Sequence, residues 1–401
     1  MYKRNLVICM SVLLIVLTFF ITAPSRAGEV RGVTDDTIKI GSIADQTGVA
    51  ASVGIPIANA TRTYFRHIND QGGINGRKVK IIVEDDHYTI PGAIAAFKKL
   101  IFRDEVLSVL YAGGTGQTFA LLSQIEKHKV PVIPVSLADG LVNPVRKYIF
   151  TPTASYDDTV KVGIDYIMKD LKAKNPKIAC VYSDNELGKT GLRAAEKYLP
   201  NYNLKLSSKA VINIGEIDVT SQVLVLKKEN PDYIILHTAA AGAISFFKAA
   251  KRYGLRSEVF GTFYVSDEEN IKGAGDAMKD ALVGSPMGYW GDNTPGMAQL
   301  REITKKYHPE TKRMIRSYTQ GWVTSMICAE GLKRAGKNLN PDTLVEAYET
   351  FKNFSTGGIA GPVSYSKNNH KGGTMNKLYK VDVKNQTFIP ITEFREPAFK
   401  D

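Results

Sequence analysis

The sequence predicts an α/β fold built as two doubly wound lobes. Three observations carry that expectation. Strand-like and helix-like stretches alternate along most of the chain, the alternation breaks off and restarts near residue 155, and 401 residues are too many for one core. A single core stops growing at about 250–300 residues.

The chain opens on Lys3 and Arg4, then runs almost unbroken in apolar residues from Leu6 to Ile21. Ser25-Arg26-Ala27 offers small residues at the two positions a signal peptidase reads. Residues 1–27 are therefore expected to be a cleaved signal peptide and the protein to be periplasmic. Kept as an anchor, the run would be at the short end of a bilayer span. Cys9 follows Ile8, where a lipoprotein signal needs a small residue, so no lipid anchor is expected.

The first lobe begins with a strand over Thr37 to Ala44. A helix follows from about Pro56 to Asn69, with Ile57, Thr61, Tyr64 and Ile68 on one face and Pro56 suited to a first helical position. Gly72-Gly73-Ile74-Asn75-Gly76 ends it. Next come a strand over Val79 to Val83, a helix over Ala93 to Phe102, a strand over Val106 to Tyr111, a helix over Thr118 to His128 and a strand over Val130 to Val135. That rhythm implies βαβ units and a parallel sheet covered on both faces.

The second lobe restarts with a helix over Asp157 to Leu171. Strands are predicted over Lys177 to Tyr182, Leu206 to Val211, Tyr233 to His237 and Val259 to Thr262. Helices over Leu192 to Leu199, Val219 to Lys228 and Ala243 to Tyr253 lie between them. Beyond these, Ala281 to Pro286 reads as a strand, while Gly296 to Tyr307, Ser317 to Ala335 and Pro341 to Phe351 read as helices. The tail, through Val363-Ser364-Tyr365 and Leu378 to Val383, reads as a meander. Such an ending adds pieces to both lobes, so the expected division is 28–150 with 285–355, and 151–284 with 356–401. No Pro/Ser-rich linker separates them, and the hinge must consist of short ordered crossings.

The formal charge of +12 is spread along the chain beside acids, as in Lys227-Lys228-Glu229. A basic stripe for nucleic acid is not what this resembles, and export would put nucleic acid out of reach. Outside the leader the only cysteines are Cys180 and Cys328, both in apolar stretches, and two buried free thiols are expected. The catalytic inventory is thin: no H-E-x-x-H, no C-x-x-C, no G-x-S-x-G, and six histidines without metal-ligand spacing. No enzyme activity, metal or cofactor is expected. Asp85-Asp86 is the one adjacent acidic pair in a predicted cleft loop, and a capping or solvated role suits it better than acid–base work.

In open parallel sheets, ligands lie beyond the carboxyl ends of strands, where helix N-termini present free N–H groups. The loops that qualify in the first lobe are Asp45-Gln46-Thr47-Gly48, Asp85-Asp86-His87-Tyr88, Gly113-Gly114-Thr115-Gly116 and Ser136-Leu137-Ala138-Asp139. In the second lobe they are Ser183 to Gly188, Thr238-Ala239-Ala240 and Phe263-Tyr264-Val265. Gly113-Gly114-Thr115-Gly116 is the most informative, because glycines admit a ligand close to the backbone and Thr115 adds a hydroxyl ahead of a helix. It is neither a phosphate loop nor a dinucleotide fingerprint.

Gly32-Val33-Thr34-Asp35-Asp36-Thr37-Ile38-Lys39-Ile40-Gly41 resembles the mature start of the branched-chain amino acid (Leu/Ile/Val) binding protein family. So does Ile68-Asn69-Asp70-Gln71-Gly72-Gly73-Ile74-Asn75-Gly76-Arg77, followed by Asp85-Asp86. Further matches are Val130-Pro131-Val132-Ile133, Asn230-Pro231-Asp232 and Lys248 to Leu255. The resemblance spans nearly the whole mature chain. It implies a type I periplasmic binding protein: two lobes, a three-crossing hinge, and a small molecule held between the lobes for ABC permease subunits in the membrane. A monomer is expected. Carried over, the family's carboxylate-binding loops fall on Gly114, Thr115, Ser136 and Ala138.

Two departures bear on the ligand. The family's amino acid binders place an acid after the strand ending near Gly261 to hold the ligand's ammonium. Here that stretch is Thr262-Phe263-Tyr264-Val265, and the nearest acids are Asp267 and Glu268. A tyrosine expected near Glu186-Leu187-Gly188 is replaced by Leu187. Burying an ammonium without a charged partner costs several kcal/mol. The expected ligand is thus an aromatic or aliphatic acid, or an amino-acid-like solute, with Tyr88, Tyr156, Phe263 and Tyr264 as candidate walls. The alternatives are a sensor of the same fold without a transport role and a branched-chain amino acid binder.

Overall fold

In the computed structural model, residues 30–399 are described, so the expected signal peptide and its cleavage site lie outside the described residues. No helix among the described residues is long and apolar enough to cross a membrane.

Four parallel strands form the first sheet: β1 (Thr37–Ile43), β2 (Lys78–Glu84), β3 (Ser108–Tyr111) and β4 (Val132–Pro134), in the order β2-β1-β3-β4. Between them run α1 (Ala51–Asp70), α2 (Ile90–Phe102) and α3 (Thr115–Lys127). The second sheet has seven strands. Five are parallel: β5 (Ile178–Ser183), β6 (Leu206–Ile212), β7 (Tyr233–His237), β8 (Glu258–Gly261) and β9 (Leu282–Ser285). The last two, β10 (Lys377–Asp382) and β11 (Thr387–Pro390), are antiparallel, and the order is β11-β10-β9-β8-β7-β5-β6. Its helices are α4 (Tyr156–Asp165), α5 (Glu186–Tyr198), α6 (Thr220–Glu229), α7 (Ala240–Tyr253) and α8 (Glu268–Ala274).

Both faces of the second sheet are covered, and the side-chain alternation of β7 shows it. Ile234 and Leu236 pack with Val223 and Phe246 on one side. Ile235 packs with Val160 and Ala195 on the other.

Three further helices, α9 (Pro295–Tyr307), α10 (Arg316–Ala335) and α11 (Pro341–Glu349), return to the first sheet's side, with α10 lying along α1. The contact is close: a Cβ on Gly321 would come within 2.5 Å of the Ile57 carbonyl oxygen. The chain therefore passes between the sheets three times, after β4, after β9 and before β10. The passing segments bond to one another. Thr151 N donates to the His370 carbonyl at 3.0 Å, Gly372 N to that of Thr151 at 2.9 Å, and Gly288 N to that of Ile359 at 2.7 Å. Two doubly wound lobes are what the alternation predicts, a three-crossing hinge is what the family resemblance implies, and the type I periplasmic binding protein fold is what forms.

Several boundaries differ from expectation, each for a local reason. The first helix starts at Ala51, five residues before Pro56, which sits inside it. The turn ahead of it is held by Asp45, whose carboxylate accepts the N–H of Gly48 at 2.5 Å and of Ala50 at 2.7 Å. Helix α5 starts at Glu186, not Leu192, because the Asn185 side chain caps it on Gly188 N at 2.9 Å. Helix α8, capped by Asp267, has no counterpart among the elements expected from the sequence. The second sheet has five strands to the first sheet's four before the tail, and the tail adds β10 and β11 to the second alone.

Candidate functional site

A cavity of about 190 Å³ lies where the two sheets' strand ends meet, and it is lined from both sides. Residues at or just beyond the carboxyl ends of β1 to β8 all reach it: Asp45, Asp86, Gly114, Val135, Ser183, Ile214, Thr238 and Tyr264 stand for the eight loops. Parallel strands put their carboxyl ends on one edge, so a single edge of each lobe supplies the whole wall. Helices α3 and α5 touch across it.

Gly114 is the extended N-cap of α3, and the N–H groups of the first turn there have no acceptor within the helix. The ring of Tyr88 lies over this glycine: a Cβ on Gly114 would come 2.6 Å from Tyr88 Cε2. Thr115 Oγ1 and Ser136 Oγ are 2.9 Å apart, and Ala138 N donates to Ser136 Oγ at 3.3 Å. From the second lobe, the Tyr156 hydroxyl donates to that of Tyr264 at 3.3 Å. Burial, helped by the nearby Tyr156 phenol, pushes the Tyr88 phenol up to about 12. Burial also raises Tyr264 well above its ordinary value, with Tyr156 adding to it. These phenols stay protonated as hydrogen-bond donors.

Of the eight residues expected at the site, Tyr88, Gly114, Thr115, Leu187 and Tyr264 lie on the cavity wall. Ser136, Ala138 and Tyr156 do not; they are fully buried behind it, bonded to Thr115 or Tyr264 or, for Ala138, to Ser136. Phe263 is also buried, with the Arg316 guanidinium 3.9 Å above its ring.

The acids near the site divide sharply. Asp85 accepts from Gln46 N at 2.9 Å, His87 N at 3.0 Å and Thr47 Oγ1 at 2.7 Å. Asp45 is spent on the backbone N–H groups of the α1 turn. Ligand oxygens of Asp45, Asp85 and Asp86 lie within 4.8 Å of one another, yet those of the first two already have donors, which leaves a cation too few free oxygens. Asp86 differs. Its Oδ1 accepts from Tyr88 N at 3.3 Å, while Oδ2 has no partner and the side chain is buried at the cavity wall. Burial, reinforced by the Asp45 charge, pushes its carboxyl up to about 6. Asp267 and Glu268 face away from the cavity: Asp267 Oδ2 accepts from Ser317 Oγ at 2.7 Å and pairs with Arg316 at 3.3 Å, and Glu268 accepts from Arg316 N at 2.8 Å.

Much of the remaining wall is aliphatic, with Ile43, Val49, Val53, Ile57, Leu187, Ile214 and Ala239 to Ala241, and Ser52, Ser183, Asn185, Asn213 and Thr238 interrupt it with polar side chains. Two stretches of it are absent from the loops expected on sequence grounds. Asn213-Ile214-Gly215 lies just past β6 and is open to the same strand-end rule that finds the other loops. Val49 to Val53 is missed along with the true start of α1.

The periplasmic binding protein family description matches residues 37–387. The Leu/Ile/Val-binding protein of Escherichia coli (strain K12) is 24% identical over 333 residues, 83% of this chain and 87% of that protein. Among solved structures, a fatty acid ABC transporter substrate-binding protein from Thermomonospora curvata superposes with TM-score 0.84 at 24% identity, covering 94% of this chain and 96% of that one. A branched-chain amino acid ABC transporter protein from Thermus thermophilus with bound valine superposes with TM-score 0.81 at 24% identity, covering 92% and 98%. At that identity the likeness speaks for the fold.

Proposed function

Because the chain belongs to the periplasmic binding protein family, we propose that it captures a small carboxylate-bearing solute and hands it to an ABC importer in the membrane. The solute is an aromatic or aliphatic acid. The observation that carries this reading is the split character of the cavity. One end is furnished with donors: the first turn of α3, the Thr115 hydroxyl and the Tyr88 and Tyr264 phenols. The rest is mainly aliphatic, interrupted by the polar side chains of Ser52, Ser183, Asn185, Asn213 and Thr238. Donors and a helix N-terminus suit an anion, and an aliphatic wall suits a hydrocarbon body.

The lobes are taken as 28–150 with 285–355 and 151–284 with 356–401. The packing of α9 and α10 on α1, and the pairing of β10 with β9, support that division. The solute binds one lobe, and closure about the hinge buries it against the other. The protein holds its guest without altering it.

One observation favours a second reading. The free Oδ2 of Asp86 is an acceptor at the wall, and it suits the ammonium of an α-amino acid. A thermal-shift screen decides between the two. Matched pairs such as leucine and 4-methylpentanoate differ only by the ammonium. Stabilisation by the deaminated acids alone supports the carboxylate reading. Stabilisation by the amino acids alone replaces it with the second.

A further inference from the structure

Two large aliphatic side chains have an unusual position. Val49, in the loop after β1, and Ile214, in the loop after β6, both line the cavity, yet they are 78% and 58% exposed. A residue that faces both the cavity and solvent stands at the mouth, and these two come from opposite lobes. Isolated exposed aliphatics need no explanation, but a pair flanking the opening of an apolar cavity leaves water against surface that a guest would cover.

The cavity's volume limits what it can enclose. An apolar cavity of about 150 Å³ is filled by benzene. At about 190 Å³, this one encloses a carboxylate and a short hydrocarbon body. A chain longer than this has to leave the cavity, and Val49 and Ile214 put aliphatic surface at its mouth.

We propose that the solute carries an aliphatic tail that leaves the cavity between Val49 and Ile214, and that these two residues set the chain length the protein prefers. This deepens the carboxylate reading and rests on it. The ligand class is a straight-chain monocarboxylate longer than the cavity itself. Its distal methylenes cover the two rim side chains.

The test is calorimetric titration of the leaderless protein with straight-chain monocarboxylates from butanoate to tetradecanoate. Each methylene that becomes buried is expected to tighten binding about fourfold, and the rise should continue past hexanoate. In the double variant V49S/I214S the loss relative to wild type should grow with chain length. Both positions are exposed, and unchanged melting of the unliganded variant verifies its folding. Tightest binding at four to six carbons, with weakening beyond, overturns the proposal. So does a double variant that binds every acid as wild type does, since the rim would then serve another partner. If no acid of any length binds while leucine does, the carboxylate reading itself fails, and that outcome is distinct from the other two.

Discussion

The ammonium of Lys371 stands 3.1 Å from the carboxylate of Asp158, in the first turn of α4. It also reaches Asp139, beyond the end of β4, at 3.2 Å. Burial opposes the charge on Lys371, but the two carboxylates outweigh it and hold its pKa above the ordinary value. One cation thus joins the first-lobe loop after β4 to the start of α4, next to the crossing where Thr151 pairs with residues 370–372. Lys371→Met leaves two anions facing each other with little water. A loss of about 3 kcal/mol is expected in urea unfolding, near the low end for a broken buried pair because Lys371 keeps some exposure. Adding Asp158→Asn should restore part of it. Equal stability of wild type and the single variant would show that the bridge contributes nothing.

Thr115 offers a side-chain hydroxyl on the wall in the first turn of α3, and Ser136 orients it. Thr115→Val keeps the shape and removes the donor. Affinity for a carboxylate ligand should fall roughly tenfold, the range for a hydrogen bond to a charged group. Unchanged affinity would take Thr115 out of the site.

The pH dependence of binding reads the state of Asp86. Its carboxyl titrates near 6 when the cavity is empty. An anionic guest disfavours the ionised form, so carboxylate affinity should rise as the pH falls from 7 to 5. An ammonium-bearing guest needs the ionised form, and its affinity should fall over the same interval. Asp86→Asn should flatten either profile. Opposite slopes make the experiment independent of the ligand screen.

Asp86 and His237 move the stability of the unliganded protein in opposite directions as the pH changes. The folded Asp86 pKa, about 6, exceeds its ordinary value of 3.8, so the native state binds more protons between these limits. Stability from this group falls as the pH rises through the window. His237 is the reverse: burial lowers it from 6.5 to about 4, and the unfolded chain binds more protons there. Its contribution is lost as the pH falls. From pH 4 to 7 the urea midpoint of Asp86→Asn should therefore change more positively with pH than that of wild type, since Asp157 and Glu268, both pushed up to about 7 by burial, act on the two proteins alike. A less positive change would contradict the sign.

Cys180 and Cys328 are free and buried, and burial pushes both thiols up to about 12. Neither should react with a thiol reagent in the folded protein. After unfolding, two thiols are expected if the leader with Cys9 has been removed, since the full chain has 3 cysteines. A count of three would show that the leader is retained, and fast reaction of the native protein would show an open core.

The strand ends are the most legible part of the site. Strands with both faces covered read as apolar runs, and the residues just past their carboxyl ends are loop. Tyr88, Gly114, Thr115, Leu187 and Tyr264 are all reached in that way. Helix starts are harder. Gly188 looks like a breaker, yet it is the second residue after Glu186 in α5, because a Cβ there would lie 2.0 Å from the Ser183 carbonyl oxygen. Glycine in that helix records a close approach of its own strand, and nothing in the local pattern announces it. The start of α1 is hidden similarly, since the turn before it depends on a carboxylate several residues upstream.

The sequence by itself determined that two parallel sheets form, that their carboxyl edges carry the loops of a site, and that the chain passes between them more than once. Periodicity and turn chemistry are local, and they suffice for that. Only the tertiary structure decided which loop residues face the cavity and which stand behind it. Ser136 and Tyr156 are as polar as Thr115 and Tyr264, but each lies one layer deeper, held by a hydroxyl partner from another loop. Asp86 and Asp85 are neighbours in sequence, yet Asp85 has both oxygens filled, by backbone N–H groups and by the Thr47 hydroxyl, and Asp86 keeps one free. Such differences depend on what packs against each side chain from distant parts of the chain, and no window along the sequence contains that information.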